Sequence, residues 1–391
     1  MKGRELLMIP GPIESDPAVL SALGQQTSSF VAPEFIAIMG DCLRMMREVW
    51  LSPDGQPFII AGSGTLAMDM AVVNLVEPGD EALVISTGYF GDRYEDLLSR
   101  YGVKVTKLEA PVGDVPDPAD VEALLRQKRF KLMTFTHVDT STAVRVDPIP
   151  LGALGRKYGV LTVLDGVCSI AGEEMRQDEW EIDVALTASQ KAIGVPAGLA
   201  LLVASKHALE VWKDRKTPVS NYYADWKNWL PVMEAYEAGK PAYFGTPATN
   251  LVAALQVSLI EILQEGMATR FARHAAISEA FKNGMSAIGL GQVPLNPQTA
   301  AHTLSAIRYP EGVTGAAFLP AVRKAGAIIA GGLHSRIKDE YFRVGHMGTA
   351  NRGDLLTTVG AIEEGLAACG YAFEKGAGVA AVSGQMALDG V

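Results

Sequence analysis

The sequence predicts an α/β protein with a mainly parallel sheet between layers of helices, and three observations support this class. Short apolar runs rich in aliphatic and β-branched residues alternate with amphipathic stretches. Such alternation of strand and helix is typical of a parallel sheet covered on both faces. We find no fixed internal period, which argues against solenoids and propellers.

Seven short runs are predicted to be buried strands, because each is apolar and bounded by Gly, Asp or Lys. They comprise residues 58–61, 82–86, 103–108, 132–136, 160–164, 184–187 and 199–204. Ligands of open parallel sheets bind beyond the carboxyl ends of the strands. The residues that follow each strand are therefore the first candidates for a functional site.

Helices are predicted between these strands, several of them closed by Gly or preceded by Pro. They comprise residues 66–76, 92–101, 118–127, 150–158 and 206–212. The pattern then changes, since residues 222–243 are aromatic and polar with few periodic signals. We interpret that segment as a surface excursion or a subunit contact.

The rest of the chain predicts a second, smaller α/β domain. Long helices are expected over 248–266 and 267–288, strand-like pieces at 303–309, 327–330 and 341–344, and helices at 314–324 and 351–368. The predicted division is an N-terminal segment at 1–20, a large domain at 21–265, a small C-terminal domain at 266–375 and a peripheral tail at 376–391.

Composition excludes several classes of protein. The chain has 391 residues, of which 48% are hydrophobic, and its net charge of −10 gives no general support for binding nucleic acid or anionic lipid. Cys42, Cys168 and Cys369 are far apart and show no metal-ligand spacing, so we expect neither a disulfide framework nor a metal site, and a cytoplasmic location. No stretch approaches about 18 uninterrupted apolar residues, so no membrane span is expected.

Ser63, Gly64 and Thr65 follow the first predicted strand and precede a predicted helix. A glycine turn at a helix N-terminus presents free N–H groups and the positive end of the helix dipole, and the two hydroxyls add donors for a phosphate. Neither the ending of a P-loop nor a complete G-x-G-x-x-G is present. A plain capped turn is the simpler interpretation of this segment taken alone.

Asp165 and Lys191 each follow a later strand. A carboxylate at the end of a buried strand needs a cation or several donors, although a helix cap would also explain Asp165. Lys191 stands among small and apolar residues, where burial leaves a nucleophilic amine that forms Schiff bases with aldehydes. An ordinary surface lysine is the alternative.

The three segments become specific when they are taken together. Pyridoxal phosphate needs an anchor for its phosphate, a carboxylate for its ring nitrogen and an amine for its aldehyde. The turn at residues 63–65, Asp165 and Lys191 would supply these in chain order. The joint pattern therefore favours this cofactor over the three separate interpretations.

Seven segments, three of which contain the residues just described, carry a resemblance to a known family. They are Ser63-Gly64-Thr65, Gly88-Tyr89-Phe90-Gly91-Asp92-Arg93, Thr136-His137-Val138-Asp139-Thr140-Ser141-Thr142, Asp165-Gly166-Val167-Cys168-Ser169, Ala188-Ser189-Gln190-Lys191-Ala192, Tyr243-Phe244-Gly245-Thr246-Pro247 and Phe342-Arg343-Val344-Gly345-His346-Met347-Gly348. With Pro10-Gly11-Pro12 at the start, the chain to about Tyr371 resembles the fold type I, class V aminotransferases, within them the alanine-glyoxylate and serine-glyoxylate (serine-pyruvate) group.

The resemblance implies that the large domain binds pyridoxal phosphate, that Lys191 forms a Schiff base with it, and that Asp165 pairs with the ring nitrogen. The remaining implied cofactor ligands are Ser63, Gly64, Thr65 and Gln190 at the phosphate, Phe90 and Val167 on the two ring faces, and Thr140 near the phenolic oxygen. Tyr243 and Thr246 would reach the phosphate of a neighbouring subunit, which implies a homodimer with shared active sites.

The resemblance also implies a ping-pong transamination between alanine or serine and glyoxylate or pyruvate. Arg343 would hold the substrate carboxylate, with Thr140 and Gly11 beside it. No second arginine occupies a motif position for a distal carboxylate, although Arg93 and Arg336 lie near motifs, so small donors are expected rather than glutamate or aspartate. Many relatives have His or Arg at the place of Phe30, which could enlarge the substrate pocket or face the core.

Other functions are weighed against this one. A related enzyme could use 2-aminoethylphosphonate or ureidoglycine as amino donor. A cysteine desulfurase of the same fold needs a mobile nucleophilic cysteine, and Cys369, the only one after Lys191, stands at a predicted helix end. A non-catalytic protein would be expected to have lost Lys191 or Asp165. His137 and His346 are expected to be hydrogen-bonded scaffold residues and no metal is expected.

Overall fold

The computed structural model describes residues 5–389. The helices are α1 (Pro17–Leu23), α2 (Pro33–Trp50), α3 (Gly64–Val73), α4 (Tyr89–Arg100), α5 (Pro118–Gln127), α6 (Pro148–Tyr158), α7 (Lys206–Lys213), α8 (Trp226–Glu237), α9 (Thr249–Glu265), α10 (Met267–Ala287), α11 (Gly315–Lys324), α12 (Arg352–Ala368) and α13 (Ala377–Asp389). Residues 1–4 and 390–391, which belong to the predicted N-terminal segment and tail, lie outside the described residues.

Most of the strands belong to one large sheet or to a smaller one later in the chain. They are β1 (Leu6–Leu7), β2 (Gln56–Ala61), β3 (Glu81–Ser86), β4 (Lys104–Glu109), β5 (Leu132–Thr136), β6 (Val138–Asp139), β7 (Val144–Arg145), β8 (Leu161–Asp165), β9 (Val184–Ala188), β10 (Leu199–Ala204), β11 (Leu304–Arg308), β12 (Ala327–Ile328), β13 (Ala330–Gly331) and β14 (Tyr341–Gly345).

The large sheet has seven strands in the order β2-β10-β9-β8-β5-β3-β4, and these are the seven that the sequence predicts. All are parallel except β10, which is antiparallel to both of its neighbours. The central strands β5, β8 and β9 are buried along their whole length, because α3, α4 and α6 are among the helices that cover the sheet. The predicted fold class is confirmed.

Two hydrophobic clusters make the core of the described chain. The first surrounds the seven-stranded sheet. The second lies between α10, α11, α12 and the antiparallel sheet β11-β14-β13. The tail is a helix rather than a loose end, since α13 packs on α10 and Val382 is fully buried in the second cluster. The proposed domain limits at 265 and 375 remain a prediction.

The interpretation of residues 222–243 as a surface excursion is wrong for most of that segment. Residues 226–237 form α8, which begins at the capping Asp225 and buries Trp226, Trp229 and Tyr236 against the first cluster. The buried residues recur at helical spacing, but Pro231 lies inside the helix, and a proline at such a position argues against a helix in sequence-based prediction. Helices α1 and α2 also fall outside the predicted elements.

No single helix in residues 5–389 has the length and hydropathy of a membrane span. Helices α9 and α10 meet that criterion only as a pair, and the chain bends by 85° between them.

Candidate active site

A cavity of about 190 Å³ lies at the carboxyl edge of the large sheet. It collects the residues that follow β2, β3, β5, β8 and β9, because parallel strands end at the same edge. Its lining comprises Gly11, Pro12, Ser63, Gly64, Thr65, Met68, Phe90, Arg93, Thr136, Val138, Thr140, Asp165, Val167, Cys168, Gln190 and Lys191. Ten of the thirteen residues predicted for the site therefore meet at one place; Tyr243, Thr246 and Arg343 are the others.

One end of the cavity is a set of hydrogen-bond donors. Ser63 is the N-cap of α3, yet its side chain makes no capping hydrogen bond, so its hydroxyl is available to a ligand together with the first N–H groups of the helix. Gln190 lines the same cavity, and its Oε1 is buried with no hydrogen-bond partner in the described chain. A polar group left in this way is expected where it faces a ligand.

Asp165 ends β8 and is only 2% exposed. Burial raises the pKa of its carboxyl to about 7, the charge of Asp139 adds to the rise, and the Val167 N–H and the charges of Arg93 and Lys191 oppose it. Its hydrogen bond to protein comes from the N–H of Val167 at 3.0 Å to Oδ1. A buried carboxylate with so little support is suited to a cationic ligand.

Lys191 is 8% exposed and donates from Nζ to the carbonyl oxygen of Pro10. Burial lowers the pKa of its ammonium group, and the charge of Arg343 lowers it further. A Cβ on Gly11 would lie 2.5 Å from Cδ and 2.8 Å from Nζ of this lysine, and the φ of Gly11 is +100°. Glycine is therefore required where the N-terminal segment covers the amine.

Asp139 is a buried residue to which the sequence analysis gave no role. Its carboxylate accepts from the N–H groups of Phe90 and Gly91 at 2.9 and 3.1 Å and from the N–H and hydroxyl of Ser141 at 2.9 and 2.6 Å. A Cβ on Gly88 would lie 2.7 Å from this carboxylate. These contacts hold the start of α4, and so fix Phe90 against the cavity. The only sequence signal was its place in the motif at 136–142.

Arg343 does not line the cavity directly. It is half-buried on β14, and it donates from Nε to the carbonyl oxygen of Gly331 at 2.8 Å and from Nη1 to that of Thr140 at 3.1 Å. One N–H of Nη1 and both of Nη2 remain for a carboxylate, given the five donors of a guanidinium. Its bond to Thr140 places it beside a residue of the cavity lining, and its charge contributes to the lowered pKa of Lys191.

Three residues that the sequence singled out lie away from the cavity. Tyr243 is 62% exposed, Thr246 is also exposed, and neither lines the cavity. Phe30 is half-buried, and its ring packs on Tyr243 with 5.2 Å between centroids. It lines no part of the cavity, which favours the packing interpretation of Phe30.

The two histidines beside the motifs are buried. His346 lies 3.0 Å from the Ser305 hydroxyl through Nε2, as expected of a scaffold residue. The hydrogen bond expected for His137 is not found, since neither ring nitrogen has a partner in the described chain and the ring contacts Trp180 edge-on. Burial lowers the pKa of His137 to about 4, so the ring is neutral near neutral pH.

The residues present fit pyridoxal phosphate. The donor set at α3, the poorly supported carboxylate of Asp165 and the buried amine of Lys191 face one cavity, and a ring between Phe90 and Val167 would lie among all three. The family model described as aminotransferase class V matches residues 23–348. The chain belongs to this family. It is therefore a pyridoxal-phosphate-dependent aminotransferase.

Its relatives include aminotransferases named for several amino donors. It is 39% identical over 362 residues to alanine-glyoxylate aminotransferase 1 of Saccharomyces cerevisiae, covering 89% of this chain and 93% of that protein. It is 29% identical to the serine-glyoxylate aminotransferase of Arabidopsis thaliana, covering 97% and 95%. It is also 29% identical to the L-aspartate-glyoxylate aminotransferase of Paracoccus denitrificans, covering 97% and 96%.

Among solved structures, the alanine-glyoxylate aminotransferase of Nostoc sp. superposes with a TM-score of 0.89. The two chains are 30% identical, and the match covers 94% of this enzyme and 96% of that chain. The likeness extends over the large sheet and the second cluster alike, so the whole described architecture is that of the family.

Proposed function

We propose that this aminotransferase moves the amino group of alanine or serine to glyoxylate or pyruvate in a ping-pong cycle. The observation that carries the proposal is the guanidinium of Arg343, which is bonded to the carbonyl oxygen of the cavity residue Thr140 and keeps three N–H groups for a carboxylate. Arg336, which lies near the motif of Arg343 in the sequence, is exposed, and its Nη2 is 3.5 Å from a carboxylate oxygen of Glu109. One arginine suits a donor with one carboxylate.

The cofactor supplies an aldehyde that exchanges amines and a cationic ring that withdraws electrons from the substrate Cα. Lys191 supplies the amine that holds the cofactor. Burial lowers the pKa of this amine, which favours the neutral form that acts as a nucleophile and removes a proton from a substrate Cα. Asp165 holds the proton of the ring nitrogen through a charge-assisted hydrogen bond.

Arg343 and Thr140 orient the substrate. A guanidinium bound by the carbonyl groups of Gly331 and Thr140 cannot rotate freely, so its remaining N–H groups point in a fixed direction. A carboxylate held in this fork would keep its Cα–H bond within reach of Lys191. Phe90, fixed by Asp139, and Val167 would confine the ring plane against which that bond must stand.

The donor proposal is tested by single turnovers of the holoenzyme with alanine, serine, aspartate, glutamate and 2-aminoethylphosphonate at equal concentration, followed by the visible absorption of the cofactor. We expect alanine and serine to react fastest. Arg343→Gln should slow both to a similar degree, whereas Arg336→Gln, the matched control, should change neither. Faster conversion by aspartate or glutamate would overturn the proposal.

The lyase alternative is weaker. Cys369 is the C-cap of α12 and packs on the second hydrophobic cluster, away from the cavity. The cysteine that does line the cavity is Cys168, and burial raises the pKa of its thiol, which disfavours the nucleophilic thiolate. Release of sulfide from cysteine by the holoenzyme would favour the lyase instead.

We further propose a cytoplasmic homodimer in which Tyr243 and Thr246 of one subunit complete the phosphate site of the other. Both side chains are exposed on the single subunit, and all three cysteines of the chain are unpaired. Hybrids of Lys191→Ala and Tyr243→Ala subunits test the shared site, because each hybrid dimer would contain one site with neither change. Activity should return on mixing; hybrids as inactive as the two parents would contradict shared sites.

A further inference from the structure

Arg93 places an unassigned positive charge in the active-site cavity. It lies on α4 three residues after Phe90, and it is the one guanidinium among the residues that line the cavity in the described chain. Its Nη2 donates to the Thr65 hydroxyl at 3.1 Å. No carboxylate of residues 5–389 forms an ion pair with it. The charge is therefore free to act on a ligand.

Arg93 and Arg343 contact different parts of the site. Arg93 contacts Thr65 at the N-terminus of α3, whereas Arg343 contacts the carbonyl oxygen of Thr140. Burial is the main influence on the pKa values of both Asp165 and Lys191. The charge of Arg93 opposes the rise in the pKa of Asp165, and the charge of Arg343 contributes to the lowered pKa of Lys191. Arg93 is thus bonded to the donor set, whereas Arg343 is bonded to Thr140.

The donor set needs a cation. Ser63, the N–H of Gly64, Thr65 and Gln190 are neutral, and a helix N-terminus contributes only about half a positive charge. A phosphate dianion taken from water into this set would be left largely uncompensated. The Thr65 hydroxyl accepts from Arg93, so its single proton remains to be donated to an anion. A hydroxyl polarised in this way is a stronger donor.

We propose that Arg93 is a cofactor-positioning residue that provides the positive charge for the cofactor phosphate, acting through the hydroxyl of Thr65. It is not a second clamp for a dicarboxylic substrate. This proposal rests on the cofactor of the family and not on the choice of amino donor. The role of Arg93 and the choice of donor are therefore tested by different measurements.

The test compares two ligands that differ only in the phosphate. The protein is freed of cofactor and titrated with pyridoxal phosphate and with pyridoxal, for wild type, Arg93→Gln, Arg93→Lys and Thr65→Val. Arg93→Gln should raise the Kd for pyridoxal phosphate about 10- to 100-fold, as expected for a lost charge-assisted hydrogen bond. The Kd for pyridoxal should stay within about twofold, since it has no phosphate to hold.

Several controls keep the result interpretable. Both ligands bind the same folded fraction, so the ratio of their Kd values is independent of partial unfolding. Arg93→Lys should restore part of the affinity for pyridoxal phosphate, and the effects of Arg93→Gln and Thr65→Val should be less than additive. Arg100→Gln, on the exposed face of α4 beside Asp96, is the matched control and should change neither Kd.

Two outcomes would overturn the proposal. Equal weakening of pyridoxal and pyridoxal phosphate would place the effect of Arg93 on the ring or on the fold. Unchanged binding of pyridoxal phosphate, with a raised KM for aspartate but not for alanine, would make Arg93 a substrate clamp.

Discussion

Asp165 and Asp139 are both buried carboxylates at the same edge of the large sheet, but they differ in the number of hydrogen bonds that they accept from the protein. Asp139 accepts four hydrogen bonds from the protein, whereas Asp165 accepts one, from Val167. Burial raises the pKa of both. The difference separates a carboxylate that holds the structure together from one whose hydrogen-bonding capacity is kept for a ligand.

The largest expected effect is the loss of the amine opposite Asp165. Lys191→Ala should lower kcat by at least about 10⁴-fold, because nucleophile and base are removed together. The variant should keep the cofactor only noncovalently. Borohydride treatment followed by peptide mapping measures this: an adduct on the peptide of residue 191 is expected in wild type alone. Undiminished turnover in the variant would refute the assignment.

The carboxylate kept for the ligand is expected to matter for catalysis more than for the fold. Asp165→Asn should lower kcat roughly 10²- to 10³-fold, because an amide cannot hold a proton on the ring nitrogen as an ionised carboxylate does. The thermal unfolding of the holoenzyme should change little by comparison. Single-turnover rates and a melting curve on the same preparation distinguish the two effects, and near-normal rates would remove Asp165 from the catalytic machinery.

Replacement of Asp139 is expected to affect the stability of the fold more than the catalytic step. Asp139→Asn should lower the free energy of unfolding by about 2 kcal/mol, because N–H groups of α4 would lose a charged acceptor. Displacement of Phe90 should also weaken cofactor binding, measured by titration. Asp96→Asn, exposed on the same helix, is the control. A stability equal to that of wild type would mean that the contacts of Asp139 are dispensable.

A further prediction concerns the pH dependence of stability without cofactor. The pKa of Asp165 is about 7 in the folded protein and 3.8 in its ordinary state, so ionisation favours the unfolded chain as the pH rises between these values. The cofactor-free wild type should therefore lose stability relative to Asp165→Asn between about pH 5 and about pH 7.5. Urea unfolding of both cofactor-free proteins at these two pH values measures the difference in their free energies of unfolding. A difference that does not change with pH would contradict the raised pKa of Asp165.

The sequence predicts those parts of the molecule whose signal is local. All seven strands of the large sheet were found, and the residues after β2, β8 and β9 led to the cofactor. The prediction that residues 103–108 form a buried strand is wrong in its burial, because β4 lies at the edge of the sheet and none of its residues is buried. The structure was needed where a contact joins distant residues. The hydrogen bond from the Phe90 N–H to the Asp139 carboxylate spans 49 residues of chain, and the bond from Arg93 to the Thr65 hydroxyl spans 28. Contacts between residues so far apart in the chain cannot be predicted from the spacing of residues within a motif.

Two regions depend on contacts that a local pattern does not reveal. Pro231 interrupts the helical pattern of α8, although the helix tolerates it and buries its aromatic side chains. In the tail, predicted to be peripheral from its small residues, the buried carboxylate of Glu363 accepts from the N–H groups of Gly376 and Gly378 at the start of α13. Composition described these segments correctly, but the partners that bury them lie elsewhere in the chain.

The way in which Pro10 and Gly11 cover Lys191 has a consequence for biosynthesis. The segment that carries them is held by Ile328 and Gly345, through the bonds Met8 N to Ile328 O and Gly345 N to Met8 O, at 2.8 Å each. The segment around Met8 is therefore fixed only after residues 328 and 345 have been synthesised. A nascent chain can complete its large sheet, which ends with β10 at Ala204, long before that segment is held over Lys191.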